Sequence, residues 1–199
     1  MPDLVDLAAV KDALNLDQGD TTHDPEIQRY IAAATPQIEY ITGPVLPRPV
    51  TETHRCWGSS RIVLRQPPVL SVNSVVEYLG LSAYTLTAQA PGTTLNNYGY
   101  VMDFPETGVL RRMSSVGTEM SFLGNAVVVG YTAGLVSIPP DVYLAALEDI
   151  RGLYQQSQQG GGGRRYGGGG EDSFSAGPIL LFPRVQAILE RAVRTQSIG

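Results

Sequence analysis

The segment 126–154, AVVVGYTAGLVSIPPDVYLAALEDIRGLY, constrains the fold of this chain more than any other, because a strand, a turn and a helix start must follow one another within it. Residues 126–131 are Val-rich and short, which favours a buried-type strand over a helix. Gly134 can take the left-handed conformation that a β-branched residue resists. Pro139 and Pro140 suit the first helical turn, where a missing N–H costs nothing, and Asp141 complements the positive end of the helix dipole. Val142, Ala145, Ala146, Ile150, Leu153 and Tyr154 then recur at helical spacing. These are the marks of a packed scaffold, and none of them carries chemistry.

The same reasoning extends along the chain. A first helix is expected over 6–16, with Leu7, Val10, Lys11 and Leu14 on one face and Asp3 or Asp6 as its cap. A second covers 24–42, opening on Asp24-Pro25-Glu26 and carrying an apolar stripe of Ile27, Tyr30, Ile31, Ala34, Ile38 and Ile41. Pro36 interrupts that stripe and is expected to kink or split the helix, which Gly43-Pro44 ends. Between 50 and 132 the period turns strand-like. Strands are expected at 50–54, 61–65, 98–102, 109–113 and 118–122, with a hairpin of 72–79 and 83–88 around Gly80. A third helix follows at 139–157. The expected class is α+β: N-terminal helices, a central mainly antiparallel β-rich region or small barrel, then C-terminal helices, all within one domain over 1–157.

Composition breaks sharply next. Residues 155–170, QQSQQGGGGRRYGGGG, cannot bury enough apolar area to order themselves, and as a flexible coil they would span about 20–24 Å. A Gly-rich linker is therefore expected over 158–177. Beyond it, 178–199 holds a short amphipathic helix near 183–195, with Val185, Ile188, Leu189 and Ala192 facing one way. An amphipathic helix on a long leash either docks on a partner or folds back on its own domain.

The function classes that composition excludes are informative. The formal net charge is −5, with eight acids against Lys11, Arg29 and Arg48 up to Val50. From Arg151 onward six arginines face Glu171, Asp172 and Glu190. An acidic body lacks the basic footprint that strong nucleic-acid binding needs, but suits a surface that DNA slides past. No apolar run approaches the ~20 residues that span a bilayer, so no membrane is expected. The acidic start MPDLVDLAAV is unlike a signal peptide, and the single Cys56 suits a reducing compartment.

Candidate chemistry is sparse. Glu52, His54 and Cys56 would share one strand face and imitate a metal site, but no second cluster supplies a fourth ligand at recognised spacing. Cys56 is either a nucleophile or a lone semi-buried thiol. His23 stands beside Asp24 at a helix start. The glycine runs lack the Lys-Ser or Lys-Thr ending of a phosphate loop, and Arg164-Arg165-Tyr166 amid glycines reads either as a solvated linker, the commoner case, or as an RGG-type nucleic-acid segment. No nucleophile elbow or zinc-protease motif is present. No catalytic residue, metal site or cofactor is therefore expected.

Several stretches occur in a telling order: Ile41-Thr42-Gly43, then Pro47-Arg48-Pro49-Val50-Thr51-Glu52-Thr53, then Leu64-Arg65-Gln66-Pro67-Pro68-Val69-Leu70-Ser71-Val72. Val128-Val129-Gly130-Tyr131-Thr132-Ala133-Gly134 and Ile138-Pro139-Pro140-Asp141-Val142 complete the series. Their order and spacing over 4–154 resemble the head–tail connector, or adaptor, proteins of tailed bacteriophages. The resemblance implies a non-enzymatic virion protein of the neck, assembled in the host cytoplasm into a ring of roughly twelve copies, a closed heterologous assembly. It implies three kinds of contact: with itself, with the portal protein, and with the next neck or tail-completion protein. Double-stranded DNA would pass through the ring without sequence-specific binding. On this reading the C-terminal segment docks on the portal through Ile179, Leu180, Leu181, Phe182, Arg184, Ile188, Leu189, Arg191 and Arg194. Two other readings stay open: a tail-completion or terminator ring, usually about sixfold, and an unrelated hydrolase using His54 with a distant carboxylate.

Overall fold

Eleven elements order the described residues of the computed structural model, which are 3–56, 58–90, 98–158 and 183–196, with backbone only for 191–196. They fall into two compact units, a helical one from 1–42 with 138–199 and a β-rich one over 43–137.

In the helical unit, α1 (Leu7–Leu14) is capped by Asp6, whose carboxylate accepts the Ala9 amide at 2.7 Å. It stops two residues before the expected end because Asn15 takes the left-handed conformation, at φ 56°. Helix α2 (Asp24–Thr42) runs unbroken through Pro36, so the proline does not split it. Its buried residues Ile27, Ile31, Ala34 and Ile38 keep the 3–4 spacing, and packing on α1, α3 and α4 outweighs one missing hydrogen bond. Lys11 belongs to the apolar stripe of α1 by position and is almost fully buried. Its ammonium is balanced there by Asp24 at 2.6 Å and the Gln18 carbonyl at 3.2 Å. Helix α3 (Pro140–Gln158) buries Val142, Ala145, Ala146 and Ile150, and α4 (Pro183–Gln196) packs on both α3 and α2.

The β unit is a seven-stranded sheet built from β1 (Arg48–Arg55), β2 (Arg61–Val63), β3 (Val69–Leu79), β4 (Ser82–Ala88), β5 (Gly99–Phe104), β6 (Val109–Met113) and β7 (Ala126–Ala133). Strand order is β1-β7-β3-β4-β5-β6-β2, antiparallel throughout except for β4 with β5. Strands β1 and β2 lie at opposite ends of that order, yet only residues 56–60 join them. A flat sheet of seven strands is ~29 Å wide, whereas the six residue steps from Arg55 to Arg61 reach ~20 Å. The sheet must therefore curl. Cross-bonds near the seam agree: the Cys56 amide donates to the Asn125 carbonyl, and the Ser59 and Ser60 carbonyls accept from Phe122 and Arg112.

One interior results, containing Ile62, Leu64, Val69, Val75, Leu86, Tyr100, Leu110, Phe122, Val127, Val129 and Tyr131. The run 126–131 is not buried on both faces as expected. It alternates strictly, with Val127, Val129, Tyr131 and Ala133 inward, because β7 has only one face toward this interior. The expected strand 118–122 is absent; an isolated bridge from Met113 to Glu119 and a turn bonded from Ser114 to Thr118 stand there instead. The β3–β4 hairpin turns on Gly80-Leu81 with Gly80 at φ 61°, the first-position glycine that a two-residue hairpin favours.

Candidate assembly surfaces

Among the described residues, β4 pairs along most of its length on one side only. Along 82–86 it pairs with β3, but it meets β5 only through Thr87 and Ala88. That parallel contact needs Gly99, since a Cβ there would lie 2.3 Å from the Thr87 carbonyl oxygen. Next to 82–86 lies a cleft of about 370 Å³, walled by Leu79, Tyr84, Leu86, Tyr98 and Leu123 and floored by Glu77 and Arg112.

The cleft floor is an ion pair taken out of water. Both Glu77 and Arg112 are 1% exposed. Arg112 Nε and Nη2 donate to the two Glu77 oxygens at 2.6 and 2.9 Å, a bidentate fork. Glu77 also accepts the Leu123 amide at 3.1 Å, and the guanidinium carbon lies 5.1 Å from the Tyr98 ring centroid. Arg112 Nη1 is buried with no acceptor among the described residues. The cleft thus offers apolar walls beside a strand whose 82–86 stretch pairs on one side only among the described residues.

A second buried acid organises the other end of the sheet. Glu52 accepts from the Tyr131 hydroxyl, from the Arg65 amide at 3.1 Å, and pairs with His54 Nε2 at 2.9 Å. Burial, with the Glu52 contact second, pushes the Tyr131 hydroxyl well above the ordinary tyrosine range. Burial also pushes the Cys56 thiol up, with the Glu77 charge adding to it, which disfavours the reactive thiolate. Of the trio Glu52, His54 and Cys56, two are bonded to each other. Among the described residues no group of three or more His, Cys, Asp or Glu side chains could hold a metal ion. His23 faces Glu26 at 3.6 Å and packs edge-on against Tyr154 at 5.7 Å, as part of the helical unit.

On α4, Val185 and Leu189 are fully buried against the helical unit, so that face folds back on its own domain. Arg184 is exposed and Ile188 half-buried. Ile179, Leu180, Leu181 and Phe182, the linker 159–177, and the side chains of Arg191 and Arg194 lie outside the described residues. The cleft escaped sequence reasoning. Val75 and Glu77 alternate inward on β3, as Leu110 and Arg112 do on β6, but spacing alone does not reveal that the two charges meet. No described helix is long and apolar enough to cross a membrane.

No protein-family model matches the sequence, and no curated protein does. Solved structures do match. A chain from the neck of an empty gene transfer agent (GTA) particle, computed with C6 symmetry, superposes with TM-score 0.57 at 19% identity, covering 94% of this chain and 88% of that one. A chain from the virion of a native GTA particle gives 0.54 at 20%, over 94% and 88%. A chain from the neck of a native GTA particle, computed with C12 symmetry, gives 0.52 at 19%, over 93% and 86%. The chain shares its fold with particle neck proteins. The α+β class and the connector-type fold expected from the sequence resemblance are thus the fold found.

Proposed function

We propose that this chain is a structural virion protein of the neck, forming a ring beneath the portal that joins the DNA-filled head to the tail and continues the DNA channel. The observation that carries this reading is a shared fold over 94% of the chain with a protein of a GTA particle neck. A ring is supported by the C6 and C12 symmetries with which those necks were computed. An acidic surface, at net charge −5, keeps DNA from adhering to a channel wall. The buried acids Glu77 and Glu52 are held by Arg112, Tyr131 and His54 in structural roles, so catalysis is not part of the proposal.

Portal docking by the C-terminal segment belongs to the same proposal. Since Val185 and Leu189 are occupied internally, the portal would meet the outward face of α4 through Arg184 and Ile188, and the docking roles of Ile179–Phe182, Arg191 and Arg194 stay part of the proposal. Removing 177–199 would uncover α2 and α3, so the cleaner variant is Arg184→Glu, since Arg184 is exposed. It should keep its melting temperature and lose portal capture; unchanged capture refutes the docking. The function itself is tested by deleting the gene in the producing strain. DNA-filled heads without tails are expected under the electron microscope, and tailed, infectious or DNA-transferring particles would contradict it.

A further inference from the structure

Helix α4 reaches its seat by a connection far longer than the seat requires. Residues 159–182 join the end of α3 at Gln158 to Pro183, while α4 itself packs on α3 and α2. Helices packed side by side need only about 2–8 residues between them. Even a connection that retraced all 19 residues of α3 would cover about 28 Å, or roughly nine extended residues. The surplus is about fifteen residues, an extended reach of ~50 Å, against the ~30 Å breadth of a small compact unit. Its two GGGG runs bring no side chains that could anchor the stretch on the way.

The seat, by contrast, is closely fitted. Val185 is 1% and Leu189 0% exposed, one turn apart on the inward face of α4. A helix of 14 residues is marginal alone in water, so α4 depends on being seated. In a ring every subunit has a neighbour with an identical seat, and exchanging an identical element keeps each contact while linking the copies. We propose that α4 of one copy packs on α2 and α3 of the next, with Val185 and Leu189 in the neighbour's seat and 159–182 crossing between the two. This rests on the ring assembly proposed above. Closure leaves no seat empty, since each subunit gives one helix and receives one. The outward face, with Arg184, stays free for the portal. The occupant is a second copy's α4 because α4 is the segment that fills this seat, and because the connection has the length that exchange needs and folding back does not.

Photocrosslinking in assembled particles tests the exchange. Ile188 is half-buried beside the two inward residues of α4. With benzoylphenylalanine incorporated at Ile188, irradiation should give a ladder of multimers of this chain on a denaturing gel, joined between α4 and peptides of α2 or α3. Exposed Ala187, on the same turn, carries the reagent if the variant at Ile188 is not incorporated into particles. A chain that stays at monomer mass, joined internally or not at all, overturns the exchange and leaves the ring standing. Multimers whose links avoid α2 and α3 overturn it as well. Particles from which the unsubstituted chain is absent overturn the ring assembly and the exchange with it.

Discussion

Glu77 holds three donors at once, two from Arg112 and one from the Leu123 amide, in a site that water does not reach. Removing one partner of such a pair strands the other. Glu77→Ala should cost about 3–5 kcal/mol, read as a shift in denaturant midpoint, while Glu77→Leu with Arg112→Leu should recover most of the loss. Full stability in Glu77→Ala would show that the pair contributes nothing. Glu119 behaves differently because it is exposed. The Arg61 hydrogen bond, then Ser60, lowers its carboxyl from an ordinary 4.5 to about 2. A depressed carboxyl contributes stability that is complete above its unfolded pKa and is lost as pH falls through the folded value. Melting temperature should therefore drop between about pH 4.5 and 2, and Glu119→Gln should flatten that limb; an unchanged limb would exclude Glu119 as its source. At this scale the sequence is least legible. Lys11 could be placed on the buried face of α1 by spacing, but its partner Asp24 lies beyond a loop, and Arg112 and Glu77 are separated by 35 residues.

Helices carry their own signals, which is why α1, α2 and α3 were legible to within a residue or two. Caps, first-turn prolines and 3–4 apolar spacing are local, and tertiary packing agreed with them. Strands are less self-contained. The alternation in β7 was hidden because Val128, on the outward face, is as apolar as its buried neighbours, and 118–122 makes only an isolated bridge, Glu119 with Met113, where a strand was expected. The helix α4 was visible as amphipathic, but the burial of Val185 and Leu189 depends on α2 and α3, far away in the chain. Leu189→Ala should destabilise the helical unit by about 2–5 kcal/mol, as deleting a buried leucine does. A change below half a kcal/mol, measured by chemical denaturation, would mean that α4 does not pack there.

At the scale of the molecule, the two units supply different surfaces. The helical unit closes on itself through α4 and leaves Arg184 outward; the β unit keeps a cleft beside β4. On the proposed reading, such a subunit would meet a partner through the outward face of α4 and its own copies through the inward one. The order of short stretches over 4–154 disclosed the connector-type fold, since turn and cap residues at fixed spacing follow from that architecture. The assembly surfaces stayed hidden because they are made by what the fold leaves exposed. The central claim is a ring on the portal, and the number of copies of this chain per portal subunit in purified particles, measured by quantitative mass spectrometry, tests it most directly. Near parity is the predicted result. About half would indicate a tail-end ring instead, and absence of the chain from particles would contradict the account.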